Sequence, residues 1–404
     1  MSTPAATAEE VEAQGGLRPA EFLRRFARGD LAEVRVILAL ALIWLIFQLQ
    51  EDRFLTATNL TNLVLQITAV GLISVGVVMV LLLGEIDLSV GAVSGLGAGV
   101  MAVLAVKHGW HPYLAIAAGI LAGTGIGLIQ GALFTRFGIP SFVVTLAGLL
   151  AWQGVLLKVL GDTGTVNINE SKITGLTGTF YSDTVGWIIA FVCIGAFALV
   201  SLGGRRRRQK AGLSAPPMAA VLTRIAIVGV AIAAAVAVLN SARGVPLAAL
   251  ILVGFVIAFQ YVTTRTRFGR HIYAVGGNAE AARRAGIKVN RIRIVVFAIA
   301  SSMAAIGGIM AASRLLAVNQ SSGGSDLLLL AIAGPVIAGT SLFGGRGTVW
   351  SALLGALVIG SISNGMDLLA LESSVKFMVT GGVLLAAVIV DALARQQRQA
   401  AGRV

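Results

Sequence analysis

Long apolar runs, separated by short polar segments, recur along nearly the whole chain and restrict its fold more than any other feature. Each run has roughly 17 to 25 residues, the length an α-helix needs to cross a hydrocarbon core about 30 Å thick. The chain is 57% hydrophobic and 12% charged, which excludes an ordinary soluble domain. We therefore predict an all-α, polytopic helical membrane protein with about twelve transmembrane helices. The predicted spans are 36–50, 60–83, 88–106, 113–134, 141–160, 184–202, 219–240, 246–263, 294–313, 327–343, 349–366 and 375–391.

The basic residues between these spans predict how the chain is oriented. Four arginines at 205–208 and the basic segment 264–293 fall on one side, and the acidic segment 161–183 falls on the other. The positive-inside rule then places both termini in the cytoplasm. On this interpretation the net charge of +13 reflects orientation and contact with membrane lipid rather than binding of nucleic acid. The predicted parts are a cytoplasmic N-terminal tail (1–35), a transmembrane domain (36–392) with an added hairpin at 184–240, and a cytoplasmic C-terminal tail (393–404).

The 264–293 segment contains eight Lys or Arg residues against one acid, Glu280, and predicts a very short helix at 279–285. Asn278 is a good N-cap, Glu280 lies in the first turn, and Gly286 suits the left-handed position after the helix. Isolated helices below roughly 12 residues are marginal in water, so this helix needs a surface to dock on. We expect Ala281, Ala282 and Ala285 to form the docking face. A surface loop lying on lipid headgroups is the alternative.

Two glycine-rich stretches, 84–91 and 339–348, predict interrupted helices rather than continuous spans. Each lies between an inward and an outward span and precedes a glycine-punctuated helix. Their likeness suggests a weak internal repeat, and transporter folds often carry such repeats with interrupted helices at the substrate site.

Several polar side chains within or beside the apolar runs are candidates for a translocation path or gate. A carboxylate at membrane depth costs at least about 2.5 kcal/mol on insertion scales, which makes Glu85, Asp87 and Asp367 candidates. Asp87 could instead cap a helix that begins at Leu88. An uncharged cargo rich in hydroxyl groups would need side chains that donate and accept hydrogen bonds, but for such residues hydrogen bonds that hold one helix to another are the favoured interpretation. These further candidates are Gln66, Ser89, Gln130, Thr145, Gln153 and Asn364.

The sequence contains no pattern that predicts an enzyme. It lacks the G-x-x-x-x-G-K-[ST] phosphate loop, so ATP binding by that device is excluded. The three histidines are too few and too scattered for a metal site, and no serine has His and Asp partners. We expect neither a cofactor nor a metal in this chain.

Three motifs resemble the permeases of ATP-binding-cassette importers for ribose, galactose and xylose. They are FGRHIYAVGGNAEAARRAGI, GEIDLSVG and PSFVVTLAG, and the likeness extends from about residue 59 to 391. The resemblance implies that 264–293 is a cytoplasmic coupling segment in contact with the ATPase subunits. The implied coupling residues are Gly276, Gly277, Asn278, Ala281, Ala282, Arg284 and Gly286.

The resemblance also implies the rest of the system. The added hairpin is similar to that of the xylose-type members, which favours D-xylose or a similar pentose as cargo. Expected partners are a periplasmic sugar-binding protein, ATPase subunits that hold ATP and Mg²⁺, and a second copy of this chain, all at the bacterial inner membrane. Two departures from the family pattern are Gln130, where asparagine is usual, and a single acid, Asp326, where a pair is usual.

Two other functions remain open at this stage. An ion-coupled secondary transporter would use Glu85, Asp87 or Asp367 to carry a proton, but would have no use for a coupling segment. The same kind of importer could also carry another sugar or a nucleoside.

Overall fold

The computed structural model describes residues 32–400, without the side chains of 32–35, 325, 387, 390–391 and 393–400. Within that range, nine helices are long and apolar enough to cross a membrane, as judged by length and composition. The polytopic all-α prediction is therefore confirmed. The nine helices are α2 (Ala57–Leu82), α3 (Val90–Ala102, extended by a π-helical turn at Val103–Lys107), α4 (Pro112–Phe137), α5 (Ser141–Leu160), α7 (Asp183–Lys210), α8 (Met218–Asn240), α9 (Leu247–Arg265), α12 (Val289–Leu315) and α14 (Trp350–Leu368).

Three further apolar helices are shorter in their apolar part and correspond to the other predicted spans. They are α1 (Ala32–Gln50), α13 (Ser325–Ile337) and α15 (Ser373–Ala400). The predicted span 327–343 is wrong at its C-terminal end, because α13 stops at Ile337. The helix is only about 20 Å long at 1.5 Å per residue. Residues 1–31 of the predicted N-terminal tail lie outside the described residues, and α15 continues through most of the predicted C-terminal tail.

Three loops meet at one end of the helix bundle, which we call the strand end. β1 (Thr165–Asn167) pairs antiparallel with β4 (Ala317–Asn319), and β2 (Phe180–Tyr181) pairs with β3 (Val245–Pro246). The short helix α6 (Ser171–Gly178) lies between β1 and β2. These strands join loops from distant parts of the sequence, so the all-α prediction omitted a small β component.

The opposite end of the bundle carries the basic segments, and we call it the basic end. There the 264–293 segment contains two short helices, α10 (Arg267–Gly277) and α11 (Ala279–Arg284). The two predicted helix breaks also lie here, at the non-helical residues 83–89 and 338–349.

Helices α2 and α12 form the centre of the bundle. Most of their residues are buried, and α12 packs along α2, α3 and α4. Small residues allow the backbones to approach closely, as is usual where transmembrane helices pack. A Cβ on Gly76 of α2, for example, would come within 2.8 Å of the Ala300 carbonyl oxygen of α12. The hairpin α7–α8 lies outside this centre. Only about a tenth of the residues in the apolar part of each of its helices are buried.

Candidate functional sites

The short helix α11 has the end structures that its sequence predicts. The Asn278 side chain accepts a hydrogen bond from the Ala281 N–H at 2.9 Å, so Asn278 is the N-cap. Gly286 has φ +83°, the left-handed conformation that glycine adopts without strain. The helix ends at Arg284, one residue before the predicted end. Asn278 and Gly286 therefore have the predicted roles in shaping this segment.

The predicted docking face of α11 is wrong at Ala282. Ala282 is 5% exposed and belongs to the hydrophobic core around α2 and α12, so it packs within its own chain. Ala281 and Ala285 are exposed. Beside them Glu280 forms ion pairs with Arg283 at 2.8 Å and with Arg284 at 3.3 Å. The exposed surface of α11 and the residue after it therefore combines two alanines with three charged side chains.

Helix α10, which the sequence analysis did not predict, connects this surface to the membrane helices. The Thr266 side chain caps it by accepting from the Gly269 N–H at 3.1 Å. Ile272 and Val275 are buried on its inner face. The strongly amphipathic sequence RFGRHIYAVGG favours a helix here. Its three glycines, however, are residues that also commonly break helices and form loops.

Glycines bring three chain segments into backbone contact at the end of α10. A Cβ on Gly276 would overlap the carbonyl oxygen of Leu82, the last residue of α2. The Gly345 N–H donates to the same Leu82 oxygen at 2.9 Å. Gly344 has φ +84°, and a Cβ there would lie 2.7 Å from the Gly276 oxygen and from the Gly84 nitrogen. We call these contacts, formed by residues 82–84, 276 and 344–345, the glycine junction.

Side-chain hydrogen bonds reinforce the glycine junction. The Tyr273 hydroxyl of α10 donates to the Gly347 carbonyl at 2.8 Å. Burial raises the pKa of the Tyr273 phenol, so this group stays protonated and can donate at physiological pH. The Gln260 side chain of α9 accepts from the Val349 N–H at 3.0 Å. The 264–293 segment is thereby attached to the end of α2 and to the loop 338–349 between α13 and α14.

Five of the predicted path residues lie near the basic end rather than along an open path. Asp87 is 4% exposed and Gln130 is 1% exposed. Asp87 accepts from the Ser89 N–H at 2.8 Å and from the Ser89 hydroxyl at 2.6 Å, and the same hydroxyl lies 3.0 Å from Gln130 Oε1. Thr145 accepts from the Leu88 N–H at 3.1 Å. Glu85 pairs with Arg293 at 2.8 Å.

The predicted helix cap at Asp87 is wrong in its position. Helix α3 begins at Val90. Ser89 is its N-cap residue, but the Ser89 side chain forms no capping hydrogen bond to the first turn of the helix. Asp87 instead bonds the backbone two residues on, a local turn that Asp side chains commonly form. Oδ2 of Asp87 and Nε2 of Gln130 are buried without a hydrogen-bond partner among the described residues. These side chains hold residues 85–89 in a non-helical conformation between α2 and α3.

A cavity of about 430 Å³, lined by small apolar residues and several polar side chains, opens near the strand end. A second cavity of about 210 Å³ adjoins it, and both are lined by Gln66, Val70 and Arg314. The lining comes from α2, α3, α12, α13 and α14 and from the loop after β4. Its other polar members are Ser94, Asn319, Ser321, Ser322 and Asp326 in the larger cavity and Ser363 and Asp367 in the smaller one.

Hydrogen bonds orient the amide side chains beside these cavities. Asn364 exchanges two hydrogen bonds with Asn59, at 2.8 and 3.1 Å, and donates to Gln66 at 3.4 Å. Asp367 forms an ion pair with Lys376 of α15. Gln153 lies farther out and donates to the Gln320 carbonyl at 2.7 Å. Of the predicted path residues, Gln66 and Asp367 line a cavity, and Asn364 positions Gln66.

Arg314 was missed by the sequence analysis. It lies in the last turn of α12, where an arginine reads as an ordinary membrane-interface anchor. It lines the smaller cavity together with Asp367 of α14. Its position at the boundary of the two cavities follows only from the packing of α12 against α2.

A bundle of apolar helices with two interrupted segments, a cavity at one end and a backbone junction at the other is an architecture suited to a membrane permease. The family model described as the permease component of the branched-chain amino acid transport system matches residues 59–388. The chain belongs to this family.

Curated relatives extend the similarity over nearly the full chain. The xylose transport system permease protein of Escherichia coli K12 is 39% identical over 90% of this chain and 92% of its own length. The ribose import permease protein of the same strain is 31% identical over 91% and 96%. The L-arabinose ABC transporter permease protein of Azospirillum brasilense is 31% identical over 90% and 89%. No solved structure matches the chain.

Proposed function

We propose that this chain is the membrane-spanning subunit of an ATP-binding-cassette importer that translocates a monosaccharide, D-xylose or a similar pentose. The similarity to permeases named for xylose, ribose and L-arabinose supports a pentose. The xylose permease is the most similar of these three, which favours D-xylose.

The observation that carries this proposal is that the same helices form both candidate sites. Helices α2, α13 and α14 line the cavities near the strand end. At the opposite end, Leu82 of α2 meets Gly344 and Gly345, which belong to the loop that joins α13 to α14, in the glycine junction beside α10. A rigid helix transmits a displacement of one end to the other. ATP hydrolysis in a partner subunit bound to α11 would thereby change the cavity without ATP binding to this chain.

The polar lining fits a sugar. A pentose offers hydroxyl groups that each donate and accept hydrogen bonds. The amides of Gln66 and Asn319 and the hydroxyl of Ser94 offer both donors and acceptors to the larger cavity, and the guanidinium of Arg314 adds donors. A volume of about 430 Å³ lies within the range usual for small-molecule sites, roughly 300 to 1,000 Å³.

The proposed assembly contains two copies of this chain, ATPase subunits that hold ATP and Mg²⁺, and a periplasmic binding protein. The basic end faces the cytoplasm with both termini, and the strand end receives sugar from the binding protein. An impermeant thiol reagent tests this orientation with Asn167→Cys and Arg207→Cys, each in a Cys193→Ser background. In intact cells only the Asn167 site should react, and labelling at Arg207 would reverse the assignment.

Transport can be tested in proteoliposomes that contain the permease with its ATPase and binding protein. We expect uptake of labelled D-xylose that requires internal ATP and persists with an ionophore. D-ribose and L-arabinose as competitors define the cargo. Uptake without the ATPase, driven by a proton gradient and abolished by the ionophore, would instead establish secondary transport through one of the carboxylates.

A further inference from the structure

The inner part of the hairpin α7–α8 carries the densest unpaired positive charge in the described chain. Four arginines at 205–208 and Lys210 end α7, and Arg224 lies in the second turn of α8. No Asp or Glu occurs between Asp183 and Glu280. The charge of the hairpin therefore has no acidic partner within it.

The contacts of these cations differ. One arginine forms hydrogen bonds within the hairpin loop, and the other five basic residues have no polar partner in the part of the chain that the structure describes. Arg205 donates to the Pro216 carbonyl at 3.1 Å and to Gln209, and so holds the hairpin loop. The other five make no ion pair or side-chain hydrogen bond to the described residues. They are exposed, and they are Arg206, Arg207, Arg208, Lys210 and Arg224.

The depth of these residues follows from the continuity of α7. Its apolar part, 184–202, is about 28 Å long at 1.5 Å per residue, close to the roughly 30 Å of a hydrocarbon core. Residues 206–210 follow within about 12 Å of its end, which is the depth of the lipid headgroups. Successive residues turn by 100°, so these cations point in different directions. Arg208, eleven residues after Phe197, lies on the face of α7 that carries that ring, Arg207 lies beside that face, and Arg206 lies on the opposite face.

Arg224 lies deeper. Its guanidinium stacks over the Phe197 ring, 5.8 Å from the centroid, and Phe197 is about 8 Å inside the apolar end of α7. An arginine at such a depth is costly unless it reaches a counter-charge, and long basic side chains extend towards the interface to do so. The nearest level at which a counter-charge exists is that of the headgroup phosphates.

We propose that the inner ends of α7 and α8 form a binding site for one anionic phospholipid headgroup. Its phosphate lies between Arg224 below and Arg207 and Arg208 above, with the acyl chains along the exposed apolar surface of the hairpin. A soluble acidic partner could meet the upper arginines but not Arg224, which is why the occupant is a lipid. This site is independent of the cargo and of the coupling role proposed above.

Native mass spectrometry of the delipidated permease tests the site by titration with phosphatidylglycerol and phosphatidylcholine of the same acyl chains. We expect the first phosphatidylglycerol to bind in clear preference to phosphatidylcholine. Replacing Arg206, Arg207 and Arg208 together with Gln should weaken that binding at least tenfold, and Arg224→Gln should weaken it roughly fivefold, since each basic residue contributes about 1 kcal/mol to anionic-lipid contact.

Two further variants control for charge and folding. Arg265, Arg267 and Arg270 are exposed on the same end of the bundle, so their combined replacement by Gln changes net charge equally and should leave the first binding event within twofold. The triple Lys variant at 206–208 should keep most of the affinity. Equal losses in the hairpin and control variants, an unchanged Arg224→Gln, or displacement of the lipid by inorganic phosphate alone would overturn the proposal.

Discussion

The two ends of helix α2 contact their neighbours differently, through backbone atoms at one end and around cavities at the other. At the basic end, backbones of three segments touch directly at Leu82, Gly276 and Gly344, with no side chain between them. At the strand end, the same helices stand apart around cavities lined by polar side chains. Backbone contact transmits displacement because nothing can yield, whereas a side-chain-lined cavity can change shape. This difference fits the proposed function, with coupling at the first end and passage at the second.

Gly276→Ala should have the largest effect, because it breaks the rigid end of the comparison. The new methyl overlaps the Leu82 carbonyl oxygen, so α10 and α2 must separate. Overpacking typically costs about 1–3 kcal/mol, and we expect a lower melting temperature together with loss of ATP-driven uptake.

Gly277→Ala is the matched control for this experiment. It is the adjacent residue, and a Cβ there meets no atom within 4 Å. It should keep the melting temperature of the wild type, so that any loss of uptake would report the partner contact implied for Gly277 and not a disrupted junction. Full uptake by both variants would mean that the glycine junction does not couple the two ends.

Ala282→Trp and Ala285→Trp separate the internal and external surfaces of α11. Ala282 is buried in the chain's own core, so a tryptophan there should lower the melting temperature by several degrees. Ala285 is exposed, and its replacement should change stability by less than about 0.5 kcal/mol. Under the proposed function, Ala285→Trp should still lose the ATPase subunits on purification. Retention of stoichiometric ATPase by the Ala285 variant would move the docking surface elsewhere.

Asn364→Leu tests the passage end. Asn59 and Gln66 would lose the hydrogen bonds they share with Asn364, and buried groups left unpaired cost about 1–3 kcal/mol. Uptake should require a higher sugar concentration, because Gln66 would no longer be positioned at both cavities. The double variant with Asn59→Leu should recover part of the stability, and additive losses would contradict a shared network.

The sequence predicted local structure well where local chemistry decides it. Asn278 caps α11 and Gly286 is left-handed because neighbouring backbone groups set those preferences. The span 141–160 agrees with α5 at both ends, where Pro140 and Gly161 interrupt the helix.

Features that depend on packing were not predictable. The pairing of β1 with β4 joins strands about 150 residues apart, and the burial of Ala282 depends on where α11 packs. Arg314 and Ser94 line a cavity only because α3 and α12 pack beside α2. A periodic pattern predicts that a helix exists but not which helix lies next to it.

Asp87→Asn should have the smallest effect and sharpens the comparison at the basic end. The Asp87 carboxylate accepts two bonds from Ser89 through one oxygen, and an amide oxygen accepts the same bonds. If the role of Asp87 is to hold residues 85–89 beside the junction, the variant should keep most ATP-driven uptake and differ in stability by about 1 kcal/mol or less. Ser89→Ala, which removes the hydroxyl that links Asp87 to Gln130, should then impair transport more than Asp87→Asn does. The opposite order, with uptake lost in the Asn variant and abolished by an ionophore in the wild type, would mean that transport requires the negative charge of Asp87. Asp87 would then belong with the passage rather than with the rigid end.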